Sequence, residues 1–208
     1  MPGKAYRSPL REEQARETRR RISDAARELF EQSGFAATTI TEIARRAGVS
    51  PATVYANYDS KAGIVTSTLE GMETAAGMDW RIPEMLAEDD PHRCLALFVA
   101  SNRAVFELSH VILRAAMDAA AEPEVQAFMA AGNANRRRGI DTLVARWHRA
   151  RALAPGLGPK RAAETMWLLS SVEQYLLATD VLAWSGESYE RWLTGALDRL
   201  LLAPAPHR

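Results

Sequence analysis

The sequence predicts an all-α protein: an N-terminal three-helix module containing a helix-turn-helix, followed by a larger helical domain. Three observations predict it. Alanine, leucine and arginine dominate the 208 residues, with only 12 glycines and 10 prolines to interrupt them. Apolar residues recur at helical spacing in several separate stretches. Between Thr39 and Lys61, two short segments carry complete start and stop signals for helices that meet at a tight turn.

In chain order, residues 1–16 form a polar, flexible lead-in with no apolar period. Over residues 1–21, seven basic side chains (Lys4, Arg7, Arg11, Arg16, Arg19, Arg20 and Arg21) face three acidic ones, the composition of an arm that engages phosphates or enters a minor groove. A helix is expected from Glu17, because Ile22, Ala25, Ala26, Leu29 and Phe30 fall at i, i+3, i+4, i+7 and i+8. Gly34 ends it, and Phe35 is the apolar partner of the cap.

Thr39 then caps a second helix, and Glu42 three residues on completes a capping box. Ile43, Ala44 and Ala47 give its buried stripe. Gly48 supplies the left-handed residue that stops it, and Val49 pins the turn. Ser50 caps the third helix with Pro51 at its first position, where a missing N–H is harmless. Val54 and Tyr58 face inward. Ala52, Thr53, Tyr55, Ala56 and Asn57 are left around a short helix with no bulky charge, a surface of hydroxyl, amide and methyl groups suited to base edges and phosphates. An ordinary helical hairpin would not need all these signals together.

At this point the chain closely resembles the TetR family of one-component transcriptional repressors. Ile22 to Ala26, the segment LFEQSGFAATTITEIARRAGVS (29–50) and the run VYANYDSK (54–61) carry the resemblance. It implies that Thr41 contacts DNA near the start of the second helix, and that Pro51, Ala52 and Thr53 form the tip of a recognition helix. By the same resemblance Tyr55 and Asn57 touch backbone or bases, and Lys61 clamps a phosphate. Two departures stand out. Gly63 replaces a helix former and is expected to loosen the joint, by up to about 1 kcal/mol against alanine. Tyr58 replaces the more usual phenylalanine and adds a hydroxyl that needs a partner. The expected organisation is an arm at 1–16, a DNA-binding module at 17–61 and an effector-binding and dimerisation domain at 62–208.

Downstream, a joining helix runs from Ser60 to about Gly77, and Gly77 to Pro91 reads as a break containing Pro83. Helices are expected from Pro91 to about Glu107, from about Leu108 to Ala120 and from Pro123 to about Ala150. After the Pro155–Pro159 loop come Lys160 to about Trp184 and Glu187 to about Leu202. Tyr189, Trp192, Leu193, Ala196, Leu197, Leu200 and Leu201 make a stripe wider than one neighbour covers, and the preceding helix is apolar on more than one face. Such helices are either central in the monomer or pair with a second copy; the family resemblance favours a homodimer through 160–184 and 187–202.

Composition excludes several classes. The formal net charge is zero, so only local charge distribution bears on a nucleic-acid partner. Cys94 is the sole cysteine, cannot close an intrachain disulfide and suits a reducing compartment as a small core residue. No apolar run of about 18 residues and no signal-peptide segment is read, so no membrane partner and a cytoplasmic location are expected. No phosphate loop, nucleophile elbow or zinc-type cluster is found, and the four histidines are scattered singly, so neither an enzyme nor a cofactor is expected. Asn102, Arg103, His110, Arg114, Trp147, Met166, Trp167 and Glu173 are the candidate lining of a small-molecule effector pocket, although each also suits a core or surface role. The leading expectation is a homodimeric repressor released from a palindromic operator by an effector. The rival is a helical ligand-binding or scaffolding protein whose helix-turn-helix does not bind DNA.

Overall fold

The computed structural model describes residues 9–76 and 78–204. Lys4 and Arg7 of the basic arm, with Gly77, lie outside the described residues. Among the described residues the chain forms ten α-helices and one isolated β-bridge, between Leu153 and Leu202. It divides into two compact units. One holds the described part of Met1–Leu69 with Val111–Gln126, and the other holds Glu70–His110 with the described part of Ala127–Arg208.

The first unit contains α1 (Pro9–Ala37), α2 (Ile40–Ala47), α3 (Pro51–Tyr58) and the first part of α4 (Lys61–Ala75). Helix α1 starts at Pro9, eight residues before the start expected at Glu17. Residues 9–16 lack an apolar stripe but consist mostly of good helix formers behind a proline at the first position, so propensity extends the helix where periodicity is silent. Gly34, at φ 76° and ψ 169°, breaks the helical run near its end, and Phe35 folds back on Phe30 with ring centroids 5.7 Å apart. Ile22, Ala26, Ile43, Ala44, Val54, Ile64 and Val65 fill the interior. Burying a large aliphatic side chain contributes about 1.5–3 kcal/mol, so this handful of residues dominates the unit's stability.

Gly63 does not loosen the joint between α3 and α4. A Cβ there would stand 2.1 Å from the Tyr58 carbonyl oxygen, so the absence of a side chain lets α4 begin directly against the end of α3. Its N–H also donates to the Ser60 hydroxyl oxygen at 2.8 Å.

The second unit contains α5 (Met78–Ala87), most of α6 (Pro91–Asp118) and α7 (Pro123–Arg149), then α8 (Pro159–Leu169), α9 (Val172–Leu176) and α10 (Gly186–Leu201). Three expectations are corrected here. The segment read as a break is mostly α5, because Pro83 removes only one backbone donor from a ten-residue helix. Arg146 donates to the carbonyls of Leu86, at 2.6 Å, and of Glu88, placing a cation where the end of α5 exposes acceptors. The two helices expected at 91–107 and 108–120 are one, α6; no glycine or proline interrupts the junction, and the Ser109 hydroxyl turns back onto the Val105 carbonyl. The single helix expected from Lys160 to Trp184 is broken at Ser170. The Ser170 hydroxyl donates to the Met166 carbonyl at 2.6 Å, and Ser171 caps α9 by accepting from the Gln174 N–H at 3.4 Å. A π-helical turn, Leu177–Val181, follows.

By length and composition α6 is apolar enough to cross a membrane, contrary to the expectation that no such run exists. It also carries Arg93, Arg103, Glu107 and Arg114, and Cys94, Leu95 and Val99 along it are wholly buried. The wide stripe of α10 splits in two: Tyr189, Leu193, Leu197 and Leu201 are fully buried, while Trp192 and Leu200 face outward.

Candidate nucleic-acid interface and ligand-binding unit

The turn between α2 and α3 is built by caps. The Thr39 hydroxyl oxygen accepts the Glu42 N–H at 3.2 Å, and the Thr39 N–H donates to the Glu42 carboxylate at 2.9 Å. Hydrogen bonds from the Thr39 hydroxyl and N–H hold the Glu42 carboxyl below the usual range. At the other end Gly48 adopts φ 66° and ψ 39°, and the Val49 N–H donates to the Ala44 carbonyl at 3.0 Å. The Arg21 guanidinium donates to the Gly48 carbonyl at 3.2 Å and crowds the glycine so closely that a Cβ would meet it at 2.6 Å. The left-handed backbone is what calls for glycine there; the Arg21 guanidinium, at the end of a flexible side chain, could move aside from a Cβ. Ser50 then accepts the Thr53 N–H at 3.1 Å and starts α3.

Val54 and Tyr58 anchor α3 to the core. The extra Tyr58 hydroxyl has its partners: it donates to the Arg19 carbonyl at 2.9 Å and lies 3.0 Å from the Ser23 hydroxyl, while the Arg19 guanidinium sits 4.8 Å above the ring. With those two residues inward, Pro51, Ala52, Tyr55 and Ala56 are exposed, as is Thr41 on α2. Tyr55 leaves half its surface, 52%, in solvent. Thr53 and Asn57 are half-buried. The Asn57 amide donates to the Thr53 carbonyl at 2.8 Å, and the Thr53 hydroxyl lies 2.9 Å from that of Ser50. Pro51, Ala52, Tyr55 and Ala56 therefore make up the outward side of α3, opposite its buried anchors.

Lys61 is placed differently from the rest. Its ammonium donates to the carbonyls of Phe35, at 2.6 Å, and Thr38, at 2.8 Å, and lies 4.1 Å from the Phe35 ring centre. Burial lowers its pKa. The side chain ties α4 to the turn before α2, and only one of its three N–H donors remains for another partner.

The candidate effector residues do not converge on one hollow. Arg103 pairs with Glu190 at 2.7 Å, and His110 with Asp180 at 2.6 Å. The Asn102 amide nitrogen is buried and finds no hydrogen-bond partner among the described residues. Met166 and Trp147 are core, Glu173 is exposed, and Arg114 belongs to the first unit. Trp167 is half-buried under Arg136, whose guanidinium lies 3.8 Å from its ring centre. One hollow in this unit is an open cleft of about 270 Å³ lined by Arg137, Asp141, Val144 and Lys160, none of them nominated by the sequence.

A chain of aromatic rings runs through the same unit. Phe106 meets Tyr175 at 5.4 Å, Tyr175 meets Tyr189 edge-on at 5.1 Å, and Tyr189 meets Trp192 at 6.1 Å. Burial pushes the Tyr175 phenol up to about 12 and the Tyr189 phenol further still. Tyr189 has no exposed surface, and its hydroxyl finds no hydrogen-bond partner among the described residues. In the sequence Tyr189 belongs to an apolar stripe and Arg136 stands within an Arg-Arg-Arg run; neither signal marks a polar site.

Comparison with known proteins bears on the family and the fold. A family described as bacterial regulatory proteins, tetR family, matches residues 22–68. The chain is 28% identical over 205 residues to the HTH-type transcriptional regulator TtgR of Pseudomonas putida, spanning 93% of this chain and 96% of that one. Its fold is similar to that of NalD, the secondary repressor of the MexAB-OprM multidrug efflux pump in Pseudomonas aeruginosa. The TM-score is 0.72 at 24% identity, over 93% of this chain and 100% of that one. It is also similar to a transcriptional regulator from Saccharomonospora viridis in complex with choline, with a TM-score of 0.73 at 17% identity over 90% and 99% of the two chains. These relatives are transcriptional regulators rather than enzymes.

Proposed function

We propose that this chain is a transcriptional regulator of the TetR family, a homodimeric repressor released from a near-palindromic operator by a small molecule. The observation that carries the DNA reading is the ridge of α3, where Pro51, Ala52 and Tyr55 are exposed while Val54 and Tyr58 fix the helix from behind. Thr41, Thr53 and Asn57 border it and supply hydroxyl and amide groups. Lys61 contributes mainly by holding the module together, with its one remaining ammonium hydrogen offered to a phosphate. Residues 1–16 serve as the basic arm, 17–61 as the DNA reader and 62–208 as the effector and dimer domain.

Dimerisation is supported by the outward apolar side chains of the last helices. Leu168, Leu177, Val181, Leu182, Trp192 and Leu200 are all exposed, a set too rich in apolar surface to be left in water. A short recognition helix also gains most when two-fold symmetry holds two half-sites together. Release follows mechanically: ligand in the second unit shifts α4, the helix that leads out of the DNA reader, and changes the spacing of the two recognition helices. The choline bound in the Saccharomonospora viridis regulator supports a small-molecule site on this fold. A cytoplasmic location follows from such a role.

The test is protection of genomic DNA fragments by the purified protein, followed by sequencing. A recovered palindrome supports the proposal. Absence of enrichment at low salt, from folded dimeric protein, turns the assignment toward a helical ligand binder that does not read DNA.

A further inference from the structure

The outward side of α3 is short of the groups that read bases by hydrogen bonds. In the major groove Arg or Lys suits guanine, Asn or Gln suits adenine, Asp or Glu suits cytosine, and an apolar group suits the thymine methyl. Helix α3, PATVYANY, contains no Arg, Lys, Gln, Asp or Glu. Its one side-chain amide, Asn57, is half-buried and donates to the Thr53 carbonyl at 2.8 Å. The Thr53 hydroxyl, also half-buried, lies 2.9 Å from the Ser50 hydroxyl. Both side chains stand at the border of the outward face rather than on it. The Tyr58 hydroxyl is turned inward onto the Arg19 carbonyl.

What the helix exposes is the Pro51 ring, the methyl groups of Ala52 and Ala56, and the Tyr55 phenol. Ala52 and Ala56, four residues apart, lie on one face, one turn above the other. The neighbouring cations do not make up the shortage. Lys61 is tied to the carbonyls of Phe35 and Thr38, and Arg46 to Glu28 at 2.6 Å. Arg45 and Thr41 are exposed, but on α2, the helix that crosses the DNA backbone in this motif. Asp59, exposed just beyond the far end of α3, carries the sign that phosphates repel.

We propose that α3 reads its half-site through the C5-methyl groups of thymine, received against Ala52 and Ala56, and not through guanine edges. The Tyr55 hydroxyl is left for a phosphate. This rests on the reading of α3 as the helix that enters the major groove. Small side chains let the helix approach the floor of the groove. There a thymine methyl buries apolar surface that the unmethylated edge of cytosine does not offer.

The experiment uses the full-length protein and the palindrome recovered by genomic protection, with binding read by fluorescence anisotropy. Each thymine of one half-site, together with its symmetry mate, is replaced by deoxyuridine. That change removes the C5-methyl and leaves the pairing and the minor groove as they were. At one such pair or more, affinity is expected to fall about tenfold, the worth of two buried methyl groups. At the same pair 5-methylcytosine should bind better than cytosine, since it restores the methyl alone. At every guanine, 7-deazaguanine, which lacks the N7 acceptor, should cost less than the most harmful deoxyuridine. Ala52→Gly or Ala56→Gly should bind the thymine operator more weakly and lose the deoxyuridine penalty, whereas a weakened helix alone would lower affinity for both operators alike. The inference is overturned if deoxyuridine is tolerated at every position, if a 7-deazaguanine costs most, or if both glycine variants keep the full penalty. A folded dimer that recovers no palindrome overturns the DNA reading and this inference with it. A palindrome bound equally well with deoxyuridine throughout overturns this inference alone.

Discussion

The carbonyl oxygen of Tyr58 occupies the space into which a side chain on Gly63 would project, with only 2.1 Å between that oxygen and an added Cβ. The recognition helix and the helix that follows it are therefore set against each other backbone to backbone. Gly63→Ala tests this. Helix propensity alone would stabilise the protein by up to about 1 kcal/mol, whereas the close approach calls for a loss of about 1–3 kcal/mol, the usual cost of overpacking. Denaturant unfolding measures the sign, and stabilisation would contradict the close-approach reading.

Lys61 and Tyr55 should separate stability from binding. Lys61→Met leaves two carbonyls, those of Phe35 and Thr38, without their donor and is expected to destabilise the protein by about 1–3 kcal/mol. Tyr55→Ala removes a half-exposed ring and should stay within about 0.5 kcal/mol of the parent while weakening operator binding at least tenfold. Equal stability of the two variants would remove the structural role assigned to Lys61.

The capping box gives a pH dependence with a definite sign. The Glu42 carboxyl titrates lower in the folded protein than in the unfolded chain because Thr39 donates to it. Its contribution is present above the unfolded value and lost as pH falls through the folded one. Thr39→Ala should cost about 1 kcal/mol near neutral pH, and the difference between variant and parent should shrink in acid. A difference that stays constant from neutral pH into acid would mean that the carboxylate does not take part.

The outward row of α10 is the dimer test. Leu200 is 52% exposed, so Leu200→Arg leaves the buried row of Tyr189, Leu193, Leu197 and Leu201 in place. Sedimentation should show a shift from dimer toward monomer, with thermal unfolding still cooperative. An unchanged dimer would place the interface elsewhere.

Legibility in the sequence follows how local each signal is. The caps at Thr39, Gly48 and Ser50 depend on residues within four positions and are fully readable. The start of α1 escapes a reading by periodicity, because residues 9–16 are helical by propensity and carry no apolar stripe. Pro83 reads as a breaker although a helix accommodates it, and the Ser171–Gln174 cap that divides α8 from α9 hides inside a strongly apolar run. Lys61 resembles a phosphate clamp by motif, and only its distance from the Phe35 and Thr38 carbonyls shows its structural role. Arg136 is invisible for the same reason: the acceptors that define it lie at Trp167 and Ser170, on another helix far along the chain.

The most direct measurement is anisotropy of a fluorescent palindrome recovered by genomic protection, titrated with protein at several salt concentrations beside a single half-site and the Tyr55→Ala variant. The account predicts that affinity falls steeply with salt, with a log–log slope of about −4 or steeper, that the half-site binds far more weakly, and that Tyr55→Ala loses most of the affinity for the palindrome. Binding that is indifferent to salt, equal on half and full sites, or unchanged in Tyr55→Ala would contradict it.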